Sequence, residues 1–118
     1  MVEAAVKTAL KGNTSAGNNV FAAVLPHNAA RPAITYQVIN AEPINSFAGS
    51  SGLDRVMLQI DAWASTYDSA LQIAGEIRPL MEAAGFKGLL DSRRTEFEDD
   101  TKLYRVSSDY WTWEDADA

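Results

Sequence analysis

Residues 55–63 alternate without interruption: Val56, Leu58, Ile60 and Ala62 take every second position, with Arg55, Met57, Gln59, Asp61 and Trp63 between them. Successive side chains of a strand point to opposite faces, so this segment presents one uniform apolar face only as a β-strand. The period then changes within a few residues. Ser65-Thr66-Tyr67-Asp68 has the form of a capping box, in which a hydroxyl accepts from a free helix amide and an acid three residues on complements the helix dipole. Tyr67, Ala70, Leu71, Ala74, Ile77 and Met81 follow at helical spacing and form one apolar stripe. A half-buried strand that feeds an amphipathic helix predicts a layered fold in which the helix covers one face of a sheet.

The rest of the chain fits the same plan. Val2, Ala5, Val6, Ala9 and Leu10 predict a short first helix, stopped at Gly12-Asn13. Residues 11–19 are rich in Gly, Asn, Thr, Ser and Ala, and predict a mobile loop. Residues 20–25 form a brief apolar strand closed by Pro26, and Pro32 opens the next. In that strand, over residues 33–41, Ile34, Tyr36 and Val38 share one face and Thr35 and Gln37 the other. Residues 42–52 combine Pro43, Asn45, Gly49 and Gly52 with serines, and predict a long hairpin loop.

Pro79 clashes with the carbonyl of Gly75 and predicts a bend in the main helix, which should continue to about Ala84 and Gly85. Residues 89–98 read as a strand, Asp99-Asp100-Thr101 as a turn, residues 102–113 as a last strand, and residues 114–118 as a frayed acidic tail. The expected fold is α+β, in the order α-β-β-β-α-β-β. Its sheet has four to five strands, antiparallel or mixed at most, with two helices on one face.

A length of 118 residues predicts one domain, residues 1–118. Apolar residues at 47% and charged residues at 22% give it enough core to fold. No window approaches the run of apolar residues needed for a membrane span, and Glu3 stands where a secretory signal carries basic residues. These features predict synthesis in the cytoplasm and no membrane partner. With no cysteines, disulfides, zinc-thiolate sites and cysteine nucleophiles are excluded. A net charge of −6 repels phosphate backbones, and Arg93-Arg94 is the one adjacent basic pair.

Motifs for chemistry are sparse. His27, the only histidine, lies in a proline-bounded loop with no nucleophile elbow nearby. Glu96, Glu98, Asp99 and Asp100 could supply oxygen ligands to a hard cation. However, the calcium-loop spacing is missing, and Glu96 and Glu98 share one strand face as a solvated edge would show. Gly49-Ser50-Ser51-Gly52 lacks the lysine and following helix of a phosphate cradle. No catalytic residue, metal or cofactor is assigned.

Other residues suggest contact with partners. Trp111 and Trp113 fall on one side of the last strand, where they form a second small core, a capping contact or a surface buried between chains. Ile44, Phe47 and Leu53 are large apolar residues within polar sequence, and either fold back on the domain or dock on a neighbour. Arg55, Met57, Gln59 and Asp61 form the strand face left for partners or solvent.

Three segments in this order resemble one family: Pro32-Ala33-Ile34-Thr35-Tyr36-Gln37-Val38-Ile39, then Leu58-Gln59-Ile60-Asp61-Ala62-Trp63 continuing to Thr66-Tyr67-Asp68-Ser69-Ala70, then Leu103-Tyr104-Arg105-Val106-Ser107-Ser108-Asp109-Tyr110. The set is similar to the tail-terminator or tail-completion proteins of siphophages, prophages and gene transfer agents, across nearly the whole chain. The resemblance implies a virion protein with no active site that forms a hexameric ring at the head-proximal end of the tail. Such a ring stops tube polymerisation, contacts the tail tube protein, joins head-completion or connector proteins, and lets DNA pass without specific binding. The alternative readings are a monomeric assembly chaperone or small binding module and, remotely, a hydrolase centred on His27.

Overall fold

The computed structural model describes residues 2–46, 49–84 and 88–115, with the side chains of residues 45, 46, 49–53 and 115 outside that description. Two helices, α1 (Val2–Leu10) and α2 (Tyr67–Ala83), accompany five strands: β1 (Val20–Ala22), β2 (Ala33–Ser46), β3 (Gly49–Ala64), β4 (Leu89–Glu98) and β5 (Leu103–Asp115). The strands form one sheet in the order β1-β2-β3-β5-β4. All neighbours pair antiparallel except β1 with β2, which are parallel, so the sheet is mixed. This is the expected α+β order.

Both helices lie on the same face. Val2, Val6 and Leu10 of α1 and Ile73, Ala74, Ile77 and Met81 of α2 enter one core with Ile34, Tyr36, Val56, Leu58, Ile60, Ala62, Val106 and Tyr110 from the sheet. The alternating apolar set of β3 is therefore the covered face, and its partners in register on β2 and β5 supply the rest. Burial of a branched aliphatic side chain contributes roughly 1.5–3 kcal/mol, so this face dominates stability.

Several boundaries differ from those expected. The N-cap of α2 is Thr66, whose hydroxyl accepts from the Ser69 amide at 3.2 Å; β3 keeps Ala64 in the sheet, which moves the cap one residue past Ser65. The helix continues through Pro79 and ends at Ala83, with an extended Ala84 as C-cap; Gly85, the expected stop, lies outside the described residues. Strand β1 stops at Ala22 because Ala23 turns into the left-handed region at φ 63° and gives its amide to the Tyr36 carbonyl.

The largest difference is at residues 42–52, expected as a long loop. Instead β2 runs on to Ser46 and β3 starts at Gly49, with Glu42 opposite Arg55 and Ile44 opposite Leu53. Pro43 is tolerated there because β1 pairs only with Ile34, Thr35 and Tyr36, which leaves the far half of β2 as an edge strand that needs no second set of donors. The result is an arm. The molecule measures 51 × 25 × 23 Å, and its long axis is about what a strand as long as β3 spans.

The expected acidic tail is also partly strand. Glu114 and Asp115 pair with Asp54 and Leu53. The Glu114 carboxylate accepts from the Val2 amide at 2.7 Å and so holds the start of α1 to the sheet. Residues 11–19, expected as a mobile loop, are closed by turn hydrogen bonds such as Gly12 to Gly17 at 2.7 Å. Ser15 binds Glu76 of α2 through both its amide and its hydroxyl, and Ala16 is buried beneath.

Candidate functional site

Among the described residues, the second face of the sheet carries no helix. Arg55, Met57, Gln59, Asp61 and Trp63 of β3 stand on it beside their partners in register on β5: Trp113, Trp111, Asp109, Ser107 and Arg105. β2 adds Glu42, Gln37 and Thr35, and β4 adds Leu89, Arg94 and Glu96. Six of the residues marked from the sequence, Arg55, Met57, Gln59, Asp61, Trp111 and Trp113, thus fall on one continuous surface. Ile44, on the same face by register, continues the surface along the arm beside the backbone of Leu53. Phe47 lies outside the described residues, as does the side chain of Leu53.

The face divides into two halves. Toward the arm, Leu89, Trp111 and Met57 form a row across β4, β5 and β3, with Arg55 and Trp113 in the next row. The Arg55 guanidinium lies 4.4 Å from the Trp111 ring centroid and also pairs with Glu42. Leu89 is 52% exposed. A half-open patch of tryptophan, methionine and arginine has the composition that cores of protein interfaces favour.

The other half is a polar lattice. Arg105 pairs with Glu96 and with Glu98 at 3.3 Å, and its guanidinium sits 5.3 Å from the Trp63 ring centroid. Burial pushes the Arg105 pKa down, but the hydrogen bond to Glu96 and the charges of Asp61, Glu96 and Glu98 outweigh it, so the net shift is upward. Arg94 pairs with Glu96 and Asp109. Glu96 and Glu98, weighed as cation ligands from the sequence, are instead partners of arginines.

Beneath these long side chains the face is not simply solvated. Thr35, Asp61 and Ser107 are buried, and Thr35 accepts from the Trp63 indole at 2.9 Å. Asp61 accepts from the neutral amide of Gln59 at 3.2 and 3.3 Å, and among the described residues no cation pairs with it. The Nε of Arg105, the hydroxyl of Ser107 and one carboxylate oxygen of Asp109 are buried without a hydrogen-bond partner among the described residues. All three lie at alternate positions of β5, on this face.

Sequence reasoning missed Arg105, Ser107, Asp109 and Leu89 as members of the surface. The signal was present, since the alternation that joins Trp111 to Trp113 reaches back through Asp109 and Ser107 to Arg105. His27 is exposed on a turn, and among the described residues no hydrogen bond or ion pair joins it to an acid or hydroxyl. Gly49 to Gly52 form the start of β3. Arg93 faces the helices, donating to the Ala74 carbonyl at 3.1 Å and to the Ser108 hydroxyl at 3.1 Å.

A solved structure described as the virion of a native gene transfer agent particle contains a chain of the same fold. Its TM-score is 0.76 at 12% identity, and the match covers 98% of this chain and 95% of that one. No curated protein sequence matches this chain. The family model for tail completion protein gp17 matches residues 2–115, nearly the whole length. The protein therefore belongs to the tail completion protein gp17 family, a family of structural proteins of phage-type tails.

Proposed function

We propose that this chain assembles into a closed ring of about six copies at the head-proximal end of a tail, where it ends tube polymerisation and joins the tail to head-completion or connector proteins. The observation that carries this reading is the patch on the helix-free face. Leu89, Trp111, Met57, Trp113 and Arg55 come together on a face that, among the described residues, no helix covers. A contact between unlike surfaces of identical subunits repeats around an axis and closes when the rotation fits. The tail tube protein meets one rim of the ring and a head-side protein the other.

The charge pattern suits a channel for DNA. Among the described residues Arg55, Arg78, Arg94 and Arg105 are in ion pairs, and Arg93 is bonded to Ser108 and Ala74. Arginines neutralised in this way, on a chain of net charge −6, offer little counterion release to a phosphate backbone. DNA passes without being gripped, and the role is structural rather than enzymatic.

Light scattering after size exclusion, over a range of concentrations and with negative-stain images, tests the reading. Rings of about six copies are expected. A monomer that is also missing from purified particles would overturn it and point to an assembly chaperone.

A further inference from the structure

In the central tile of the helix-free face Asp61 has no ion-pair partner among the described residues, whereas Asp109 shares Arg94 with Glu96. Asp61 and Ser107 are opposite each other, as are Gln59 and Asp109, so the two aspartates are diagonal neighbours roughly 7–8 Å apart. Asp61 is only 7% exposed, and its carboxylate is held by the long, neutral bonds from Gln59. Ser107, 1% exposed, has a hydroxyl without a partner, and Asp109 has one oxygen in the same state among the described residues. Buried polar atoms without partners are costly, and with the Nε of Arg105 there are three on this strand face among the described residues, which indicates a network completed from outside the chain.

The matching surface is on the opposite layer of the same molecule. Lys7 and Lys11 are exposed one helical turn apart, about 6 Å, with the Lys11 amide bonded to the Lys7 carbonyl at 2.9 Å. Neither makes an ion pair among the described residues. Around them α1 shows Ala4, Ala5 and Thr8, which are small enough for close approach. Among the described residues Arg31 and Lys102 are the other cations whose side chains make no ion pair or hydrogen bond, and each stands alone, Arg31 on a bend and Lys102 on a turn.

We infer that α1 of a second copy docks on this tile, with Lys7 and Lys11 reaching Asp61 and Asp109. This contact rests on the ring reading and specifies its geometry: the helix layer of one subunit sits on the bare sheet of the next. Gln59 acts as a placeholder. Its amide swings aside, and a charge-assisted bond replaces a neutral one. The contact joins unlike surfaces, as a closed ring requires.

The cysteine-free chain allows a direct test. A Lys11→Cys chain and a Gln59→Cys chain, mixed and oxidised, are expected to give a disulfide-linked dimer that neither gives alone. Separately, a chain carrying Lys7→Glu and Lys11→Glu, which are surface changes, should keep its melting temperature and lose about tenfold in self-association. Rings that form without the cross-link, or that tolerate the two glutamates, overturn the contact and leave the ring standing. Monomers with no cross-link overturn the contact, and if they are also missing from purified particles they overturn the ring as well.

Discussion

The two faces of the sheet are built from alternate residues of the same strands, yet they are finished differently. On the covered face Val56, Leu58, Ile60 and Ala62 meet Ile73, Ala74, Ile77 and Met81, and the packing is complete within one chain. On the bare face the tryptophans remain half open, the arginines share acids, and among the described residues Asp61 accepts only from a glutamine amide. Close packing needs volume and pattern, which a single chain supplies. A polar lattice needs a partner for every donor and acceptor, and here the described residues leave some unmet. The covered face therefore specifies the fold, while the bare face is the one we propose for assembly.

Truncation in the core is the strongest challenge to this contrast. Ile73→Ala removes a fully buried side chain of α2 and should cost about 2–5 kcal/mol by chemical denaturation, with assembly lost along with the fold. A smaller loss would mean that α2 is not the keystone of the covered face.

Trp111→Ala tests the other side. Losing the contact with Arg55 should cost the single subunit only about 1 kcal/mol, whereas ring formation followed by light scattering should weaken by more than tenfold. If the subunit unfolds instead, Trp111 belongs to a second core, and the two faces are more alike than described.

Tyr110→Phe makes the smallest change and sharpens the contrast within the covered face. The Tyr110 hydroxyl is buried without a hydrogen-bond partner among the described residues, so its removal at neutral pH should leave the melting temperature unchanged or slightly higher. Burial raises the Tyr110 pKa above 10.0, against the opposing charge of Arg93. A phenol raised on folding gives stability that is present below the unfolded value and lost as pH rises through the folded one. Stability measured from pH 9 upward should therefore fall less steeply in the phenylalanine variant. An identical slope would show that Tyr110 does not govern the alkaline limit.

Where alternation or helical spacing was strong, the fold was legible in the sequence. The stripe from Tyr67 to Met81 gives α2 almost to the residue, residues 55–63 give the second half of β3, and the membership of Arg55, Met57, Gln59 and Asp61 in one face follows from period two alone. Residues 42–52 were not legible. Their proline, glycines and serines signal a loop, and an edge hairpin is possible there because, among the described residues, no strand lies beside the far half of β2. The frayed tail failed for the same kind of reason, because β3 reaches far enough to pair with Glu114 and Asp115.

Local pattern by itself determined which side of each strong strand would be apolar, where the long helix would lie, and that the chain carries no cysteine chemistry. Only the tertiary structure decided that β5 lies between β3 and β4. That order sets Trp111 against Met57 and under Arg55, and places Asp61 opposite Ser107. Period and capping act between residues a few positions apart and are written into the sequence, whereas strand order and register depend on which distant surfaces can be buried together.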